Sequence, residues 1–463
     1  MEKHIDKFDI VIGLEIHAEL NTKTKCFCGC ANEFGTKPNT NVCPVCLAMP
    51  GALPVLNREA VKKTILAGLS IDCTINDIAI FERKHYFYPD LAKAYQISQL
   101  VKPICLGGGI KLRGGKYIRL NRIHLEEDAG KLMHNAVNQT SLVDYNRGGV
   151  PLIEIVTEPD ISSASEAVEF LEAVRSRLVY GGIANCKMEQ GGMRCDVNLS
   201  LKPRGSKTLG NRCEIKNLNS YKMVTRAIEY EANRQAELLV NGTRITTETR
   251  KWDDGKWKTF SMRNKEESQD YRYFPDPDIY AVKITREDVE NLRKTMPLLA
   301  HQLREKFIKE FKLPEYDADI LTRDKTISDF YLECVKLYNN PKPISNWIQT
   351  DVLKRMNDAQ TDKIPTTPQT LTTIIKMVEE GKITKLVGLD MLDGKVKLTD
   401  TAGVTDAEIT KILTELKASM PHIAADFAAN PPKVLPFLIG QVMKATKGKA
   451  KSDAVEKIIK KLF

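Results

Sequence analysis

Hydrophobic and polar residues follow two different periods along the chain, and the change falls near residue 285. Before it, apolar and polar residues alternate over short segments that end at clustered glycines, which is typical of strands and turns. Beyond it, apolar residues recur at helical spacing between proline-containing joints. The pattern predicts helices near 285–312, 325–339, 344–358, 368–380, 405–418, 434–447 and 452–462.

These patterns divide the chain into three expected parts. Residues 1–285 form an α+β domain, 286–314 a short helical connector, and 315–463 an all-helical C-terminal region. Helical spacing also occurs twice inside the first part. One helix is predicted over 162–178 after an N-cap serine, and Ser220 is expected to cap a second helix.

Several predicted strands of the first domain carry carboxylates on one face. In 9–20, Glu15, His17 and Glu19 alternate with apolar residues, and Glu154 lies inside an otherwise apolar run. The remaining strands add Glu126, Glu127, Asp128, Asp196 beside Arg194, and Glu214. Such faces are either the solvated side of a sheet or ligands that converge on a hard divalent cation such as Mg²⁺. The pattern alone leaves both interpretations open.

Five of the 11 cysteines lie within one short stretch, 26–46. Two of the pairs there have the spacing of metal-binding knuckles, namely Cys28 with Cys30 and Cys43 with Cys46. Four thiolates on two tight turns complete the tetrahedral shell of a structural Zn²⁺. The alternative is a cluster of free or redox-active thiols. Cys26 is an extra thiol that a four-coordinate site does not need.

The net charge and its distribution indicate a polyanionic partner. The formal net charge is +9, and the segment 440–463 holds seven lysines against two acids. A basic end on a near-balanced body indicates contact with a polyanion, although a solvated lysine-rich helix has the same charge. We see no apolar run of membrane-spanning length and no signal or transit peptide, so we expect a reducing, cytoplasmic compartment and no membrane.

A nucleotide would have to be held without a glycine-rich phosphate loop. The triglycine at 107–109 lacks the lysine and hydroxyl residue that follow in such loops. Metals and scattered basic residues would take over that task, and the candidates are Arg83, Lys84, Arg147, Arg194 and Arg272. The sequence also lacks a serine or cysteine amidase signature, so we do not expect this chain to hydrolyse glutamine by itself.

Nine strings spread over the first 280 residues resemble those of one family, the B subunits of the three-subunit glutamyl/aspartyl-tRNA amidotransferases. They are VIGLEIH at 11–17, VCPVC at 42–46, YFYPD at 86–90, YQISQ at 95–99, IHLEEDAGK at 123–131, PLIEIVTEPD at 151–160, RCDVN at 194–198, EIKNLNS at 214–220 and DYRYFP at 270–275. The resemblance extends over essentially the whole chain.

The resemblance implies a fold and a reaction. In that family a cradle domain that resembles the catalytic fold of glutamine synthetase precedes a helical region with a YqeY-like tail. The B subunit uses ATP and Mg²⁺ to phosphorylate the side-chain carboxylate of Glu on tRNA(Gln) or Asp on tRNA(Asn). Ammonia from the amidase A subunit then displaces the phosphate, and a small C subunit joins the other two. The implied partners are therefore the amidase subunit, the small subunit and an aminoacylated tRNA.

The resemblance also implies which residues carry the chemistry. It assigns Mg²⁺ to Glu15, His17, Glu126, Glu127, Glu154 and Asp196, and a structural Zn²⁺ to Cys28, Cys30, Cys43 and Cys46. The residues expected at the reaction centre are Glu15, His17, Glu126 and Glu127. From the basic candidates named above, and not from the resemblance, Lys84, Arg147 and Arg272 are expected to bind the nucleotide and Arg194 to lie at the reaction centre.

Two other functions fit parts of the sequence. One is a non-catalytic tRNA-binding module that grips RNA with the zinc knuckle and the basic tail. The other is an archaeal-type relative restricted to Glu-tRNA, which carries an inserted domain; here 272–278 runs directly into the helical region and leaves no room for one. The choice between Glu-tRNA(Gln), Asp-tRNA(Asn) or both stays open, because it depends on which synthetases the cell has.

Overall fold

A computed structural model describes residues 4–135, 139–264, 270–398, 404–446, 450 and 452–463. The chain forms two compact units, Met1–Leu299 and Ala300–Phe463. The division falls inside the segment 286–314 that was predicted as a connector, and the three-part division with boundaries at 285 and 314 stays a prediction.

The first unit is built on β-strands in the described part of the chain. Their bounds are β1 Phe8–Glu19, β2 Thr74–Ile75, β3 Ile78–Ala79, β4 Glu82–His85, β5 Tyr95–Ser98, β6 Cys105–Leu106, β7 Gly109–Lys111, β8 Tyr117–Glu127, β9 Lys131–Asn135, β10 Thr140–Asp144, β11 Pro151–Thr157, β12 Met193–Pro203, β13 Cys213–Leu218, β14 Glu248–Asp253, β15 Lys258–Asn264, β16 Phe274–Pro275 and β17 Val282–Lys283.

One large sheet dominates this unit. Its strands follow the order β15-β14-β13-β12-β1-β11-β8-β6-β2, and β7 pairs with β8. Neighbouring strands are antiparallel except for β13 and β14, which run parallel. A parallel pair needs a crossover connection, and the helix α3, Tyr221–Val240, supplies it. The long strand β1 lies in the middle, so its side chains have neighbours on both sides.

Helices cover the apolar face of the sheet. Besides α3 they are α1 Arg58–Ser70, α2 Ala164–Tyr180 and α4 Arg286–Thr295. Ile12, Leu14 and Ile16 of β1 are buried in one core with residues of α2 and α3, such as Phe170 and Val224. The alternation predicted for β1 is confirmed, because the opposite face carries Glu15, His17 and Glu19.

Helix ends refine the sequence predictions. Ser220 caps α3 as predicted, accepting a hydrogen bond from the backbone N–H of Met223. The N-cap of α2 is Ser163, one residue after the predicted start at 162, and it accepts from the N–H of Glu166. Helix α1 was not predicted; it begins after Asn57, whose side chain accepts from two backbone N–H groups.

Three smaller sheets accompany the large one among the residues of the first unit that the structure describes. Strand β4 pairs with both β5 and β16, β3 pairs with β17, and β9 pairs with β10. The sheet of β4, β5 and β16 stands beside β8 of the large sheet, since Ser98 Oγ donates to Glu126 Oε2 at 3.1 Å and Leu125 N–H donates to Gln99 Oε1 at 3.0 Å. This small sheet therefore forms a wall beside the polar face of the large sheet.

The second unit is helical throughout its described residues. Its helices are α5 Ala300–Lys309, α6 Glu315–Leu321, α7 Lys325–Leu337, α8 Pro341–Trp347, α9 Leu353–Asp358, α10 Pro368–Glu379, α11 Lys385–Leu392, α12 Asp406–Ser419, α13 Ile423–Ala429, α14 Pro431–Ala445 and α15 Ser452–Leu462, with a π-helical turn Ile348–Val352 between α8 and α9. The last four helices enclose a core of their own around Leu413, Leu438, Val442 and Ile459.

The helical predictions were wrong in several details. The single helix expected over 285–312 is two helices, because Met296 before Pro297 adopts an extended backbone conformation and ends α4. Helices α6, α11 and α13 were missed; each is seven or eight residues long, too short for a clear period. None of the helices in the described residues is long and apolar enough to cross a membrane. Three lysines of the basic segment 440–463, at 447, 449 and 451, lie outside the described residues.

Candidate functional site

Strand register brings the polar residues of three central strands together. His17 of β1 lies opposite Glu154 of β11 on one side and opposite Arg194 of β12 on the other. One step along, Glu15 lies opposite Asp196. Directly opposed residues share a face of the sheet, so these side chains project to the same side. The polar face predicted from alternation is therefore continuous across neighbouring strands.

A first cluster forms around His17. Its Nε2 lies 3.4 Å from Glu154 Oε2 and 3.8 Å from Glu126 Oε1. His124, on β8, was not predicted as a site residue, yet its Nε2 lies 3.5 Å from both of these carboxylates. Its signal in the sequence is its two-residue spacing from Glu126, which places both on one strand face. Ligand atoms of His17, Glu126 and Glu154 lie within 4.8 Å of one another, close enough to hold one metal ion.

The charged groups of this cluster shift one another's pKa values. Burial alone would lower the pKa of His17, but the hydrogen bond and negative charge of Glu154, with the charges of Glu126 and Asp196, raise it above 6.5. Burial would raise the pKa of Glu154, but His124 and His17 hold it well below its usual range. The protonated form of the His17 imidazole is therefore stabilised by the carboxylates beside it.

A second cluster lies further along the same face. Ligand oxygens of Glu15, Asp196 and Glu214 lie within 4.8 Å of one another. Burial and the charges of Glu154 and Glu214 raise the pKa of Glu15. Asn198 Nδ2 donates to Glu15 at 2.8 Å, and Lys216 Nζ lies 2.5 Å from Asp196 and 2.7 Å from Glu214. Glu214 was not assigned as a ligand from the sequence, although its strand face was recognised as acidic.

Both clusters open into one cleft of about 540 Å³. Glu15, His17 and Glu154 line it together with four basic residues, Lys84, Arg122, Arg212 and Lys216. Tyr271 and Tyr273 form part of its wall. Acids at the base of the cleft and cations around them suit a phosphate-bearing ligand whose charge is shared between bound cations and basic side chains. Of the predicted nucleotide-binding residues, Lys84 lies in this cleft.

The adjacent acids Glu126 and Glu127 do not act as a pair. Successive strand residues point to opposite faces, and Glu127 receives Lys93 Nζ at 2.6 Å and the N–H of Ile97 at 3.0 Å. It belongs to neither of the carboxylate clusters found among the described residues. Glu126 therefore lies in the first cluster and Glu127 lies apart from it.

The other predicted basic residues lie outside the cleft lining. Arg194 Nη2 lies 2.6 Å from Asp128 Oδ2, and Arg147 donates to the carbonyls of Ala129 and Gly130 at 3.0 and 2.8 Å. These two arginines thus hold neighbouring chain segments in place. Arg272, by contrast, is highly exposed.

Arg83 also lies outside the cleft and contacts residues of the small sheet that forms its wall. Its guanidinium is bound by Asp276 at 2.8 Å and by Asp278 at 2.9 Å, and it stacks on the ring of Tyr95. These contacts join β4 to the segment that follows β16. Arg83 therefore stabilises the small sheet and is not placed to bind a nucleotide.

The four knuckle cysteines converge as their spacing predicts. Cys46 Sγ lies 3.6 Å from Cys28 Sγ, 3.7 Å from Cys43 Sγ and 3.9 Å from Cys30 Sγ. A tetrahedron with metal–sulfur bonds of about 2.3 Å has edges of about 3.8 Å, so the spacing fits Zn²⁺. The hydrogen bond from Cys28 and the charge of Lys25 help to lower the pKa of the Cys46 thiol to about 4, which favours its thiolate, whereas the same hydrogen bond and burial raise the pKa of Cys28.

A buried lysine supports this cluster. Lys25 is fully buried, and its Nζ donates to the carbonyl of Asn41 at 3.0 Å, to the carbonyl of Tyr145 at 3.4 Å and to Cys46 Sγ at 3.5 Å. A cation at this position compensates part of the negative charge of four thiolates. Cys26 is also buried but lies outside the four-sulfur group.

Comparison with known proteins identifies the class to which this fold and site belong. The family model described as GatB/GatE catalytic domain matches residues 10–290, and the one described as GatB domain matches 329–463. B subunits of aspartyl/glutamyl-tRNA(Asn/Gln) amidotransferases are similar over nearly their whole length. The one from Thermoanaerobacter sp. is 45% identical over 470 residues, covering 98% of this chain and 99% of the relative.

Two further relatives agree. The B subunit from Persephonella marina is 44% identical over 474 residues, covering 99% of this chain and all of the relative, and that from Clostridium beijerinckii is 45% identical over 472 residues, covering 98% of each. The chain belongs to the family of aspartyl/glutamyl-tRNA amidotransferase B subunits. The predicted family and the predicted α+β class are confirmed.

Proposed function

We propose that this chain activates and amidates the side-chain carboxylate of Glu on tRNA(Gln), Asp on tRNA(Asn), or both, within an ATP-dependent amidotransferase. The names of the relatives support the substrate class. The observation that carries the proposal is the cleft, which is lined by members of both carboxylate clusters and by four basic side chains.

The chemistry explains why such a cleft is needed. Ammonia does not displace the oxygen of a carboxylate, because that oxygen is a poor leaving group. Transfer of the γ-phosphoryl group of ATP to the carboxylate forms an acyl phosphate and releases ADP. Ammonia then attacks the acyl carbon, the C–O bond breaks, and inorganic phosphate leaves. Phosphoryl transfer depends on positioning and charge neutralisation and needs no protein nucleophile.

The donor sets fit divalent cations. Three carboxylates within 4.8 Å of one another repel each other, and this repulsion contributes to the raised pKa of Glu15. Mg²⁺ bound there would neutralise phosphate charge during transfer. We propose that His17, Glu126 and Glu154 hold one ion and that Glu15, Asp196 and Glu214 hold a second. Lys84, Arg122 and Arg212 are then placed to bind phosphate oxygens directly.

The remaining parts of the assembly follow from the same proposal. Ammonia comes from a partner amidase subunit, and a small third subunit completes a heterotrimer. The four-cysteine cluster holds a structural Zn²⁺. Aminoacyl-tRNA is the macromolecular substrate, so we place the protein in the cytoplasm. Glu127 and Arg194, which belong to neither cluster, support the segments that border the site.

The test is the phosphorylation half-reaction of the reconstituted complex. With misacylated tRNA, ATP and Mg²⁺ but no glutamine or ammonium, we expect phosphorylated aminoacyl-tRNA and ADP in equal amounts. Added ammonium should then give Gln- or Asn-tRNA without the amidase reaction. A complex that binds misacylated tRNA but forms no ADP would contradict the proposal and support the tRNA-binding module instead.

A further inference from the structure

Two distant segments meet at the wall of the cleft. Strand β16 pairs with β4, and the N–H of His85 donates to the carbonyl of Tyr271 at 2.9 Å. This pairing brings the ring centroids of Tyr86 and Tyr271 to 6.1 Å, and those of Tyr271 and Tyr273 to 6.2 Å. The contacts are edge-to-face, with interplanar angles of 73° and 78°. Three tyrosines thus form one continuous aromatic cluster.

The cluster borders the space in which the phosphoryl chemistry is proposed to occur. Tyr271 and Tyr273 line the same cleft as Glu15, His17 and Glu154, and both are only partly buried. Partly buried aromatic side chains on a cleft wall offer apolar surface that a planar ligand covers by stacking. Because the tyrosines contact one another edge to face, the ring faces that a face-to-face stack would cover stay available to a ligand.

The backbone between the two tyrosines is unusual. Arg272 has φ of +43°, in the left-handed region that non-glycine residues rarely adopt, and Asp270 Oδ1 accepts its N–H at 3.0 Å. The Arg272 side chain is 83% exposed. Strained backbone persists where its surroundings hold it, and it concentrates at ligand-binding positions. Here it separates the two tyrosines that line the cleft.

A cation lies against the same rings. Lys84 Nζ is 5.1 Å from the centroid of Tyr271 and 5.8 Å from that of Tyr86. Lys84 also lines the cleft beside the carboxylate clusters. An aromatic wall next to a basic group suits a nucleotide, whose base stacks and whose phosphates bind cations.

We propose that Tyr271 and Tyr273, supported by Tyr86, form a subsite for a purine base. The inference rests on the proposed function and extends it, because two adenine-bearing molecules enter this reaction, ATP and the 3′-terminal adenosine of the tRNA. Stacking accepts either, since both present the same ring. Lys84 then contacts the phosphate end of the bound nucleotide.

The kinetic test uses the three-subunit complex with Tyr271→Leu and Tyr273→Leu. Loss of the ring should raise the KM for ATP or for aminoacyl-tRNA about tenfold or more, and whichever KM rises identifies the source of the base. Tyr271→Phe and Tyr273→Phe keep the ring and should restore the KM. Tyr280→Leu is the matched control, because Tyr280 is 92% exposed and does not line the cleft. Inhibition by inorganic tripolyphosphate should not change, because it has no base.

Unchanged KM values for both substrates in the Leu variants would overturn the subsite. The subsite would also be overturned if the KM rose and inhibition by tripolyphosphate weakened by the same factor. In that case the rings would only hold Lys84 in place. Should the Leu variants not assemble, the wild-type complex is photolabelled with 8-azido-ATP and with tRNA ending in 8-azidoadenosine. An adduct on Tyr271 or Tyr273 supports the subsite, and its absence with both probes refutes it. Wild-type complex without phosphorylation activity refutes the proposed function instead.

Discussion

His17 Nε2 lies 3.4 Å from Glu154 Oε2, on a neighbouring strand and in direct register with it. Neither residue is close to the other in sequence, and the sheet pairing alone sets their distance. The same pairing places Glu15 opposite Asp196 one step away. A single strand, β1, therefore contributes one side chain to each of two carboxylate clusters, which makes substitutions on β1 the most direct tests of the site.

Replacing Glu15 should remove the phosphorylation step. Glu15→Gln keeps the size and the hydrogen bond with Asn198 but removes one of three negative charges. Formation of phosphorylated aminoacyl-tRNA without ammonia should fall by about three orders of magnitude, while tRNA binding and glutamine hydrolysis by the complex persist. Glu189→Gln, at an exposed position, should behave as wild type. A wild-type rate for Glu15→Gln would show that this face is only the solvated side of the sheet.

Glu214 should determine how much Mg²⁺ the reaction needs. Its carboxylate is one of three in the second cluster, and Lys216 lies 2.7 Å away. We expect Glu214→Gln to raise the Mg²⁺ concentration for half-maximal phosphorylation by about tenfold or more, with partial recovery at high Mg²⁺. A Mg²⁺ titration of the initial rate measures this. If the titration midpoint stays at the wild-type value, Glu214 is not a ligand.

The cysteine cluster should bind about one zinc per chain. Metal analysis after a chelator wash should find it in wild type and in Cys26→Ala, because Cys26 is outside the four-sulfur group. Combined Cys43→Ser and Cys46→Ser should lose the metal and lower the thermal unfolding midpoint, yet retain phosphorylation. Wild-type protein without zinc would argue for a cluster of free thiols.

A buried ionic network around Glu231 should stabilise the first unit in a pH-dependent way. Glu231 is fully buried, and Arg234 Nη2 lies 2.6 Å from its Oε1. Burial alone would raise the pKa of Glu231, but Arg234, Gln235 and Arg250 lower it below 4.5. Breaking such a pair costs about 3–5 kcal/mol, so Glu231→Gln should lower the free energy of unfolding by that amount. Glu237→Gln, exposed on the same helix, is the control.

The sign of the pH dependence follows from the lowered pKa. Ionised Glu231 stabilises the folded state fully above the unfolded value of 4.5, and this contribution is lost as the pH falls through the lower folded value. Urea unfolding of wild type and Glu231→Gln should therefore differ most near neutrality and converge in acid. A constant difference across the acid range would contradict the assignment.

The basic tail should contact the phosphate backbone of tRNA. Lys444, Lys457, Lys460 and Lys461 are exposed. Replacing all four with Gln should raise the KM for aminoacyl-tRNA, flatten the salt dependence of binding and spare glutamine hydrolysis. Removal of 315–463 should have the same direction of effect. If the salt dependence of tRNA binding were unchanged and only the stability of the variant fell, these lysines would simply be solvated residues of a surface helix.

Local patterns predicted those features that depend on one strand or one turn. Alternation along β1 placed Glu15 and His17 on one face, since the period of a strand is two wherever it pairs. The cysteine spacing predicted the four-sulfur cluster, because each pair lies on its own tight turn. Ser220 capped α3 as expected, because capping needs only the next three residues.

Other features required long-range pairing. Glu126 and Glu127 were expected to act as a pair. In the structure Glu126 lies near His17, whereas Glu127, on the opposite face of the strand, is bound by Lys93. His124 and Glu214 joined the clusters only through the register of β8 with β11 and of β13 with β12. Arg272 was expected to bind the nucleotide from its motif, but its side chain is highly exposed and lies outside the cleft lining.

The sequence by itself determined the alternation of β1, the approximate positions of the longer helices of the second unit, the thiol spacing and the family, since these are properties of neighbouring residues or of strings. Only the tertiary structure decided which carboxylates share a cluster and which basic residues face them. Register between strands far apart in the chain sets those distances, and it depends on how the apolar faces pack together in the core rather than on the polar residues themselves.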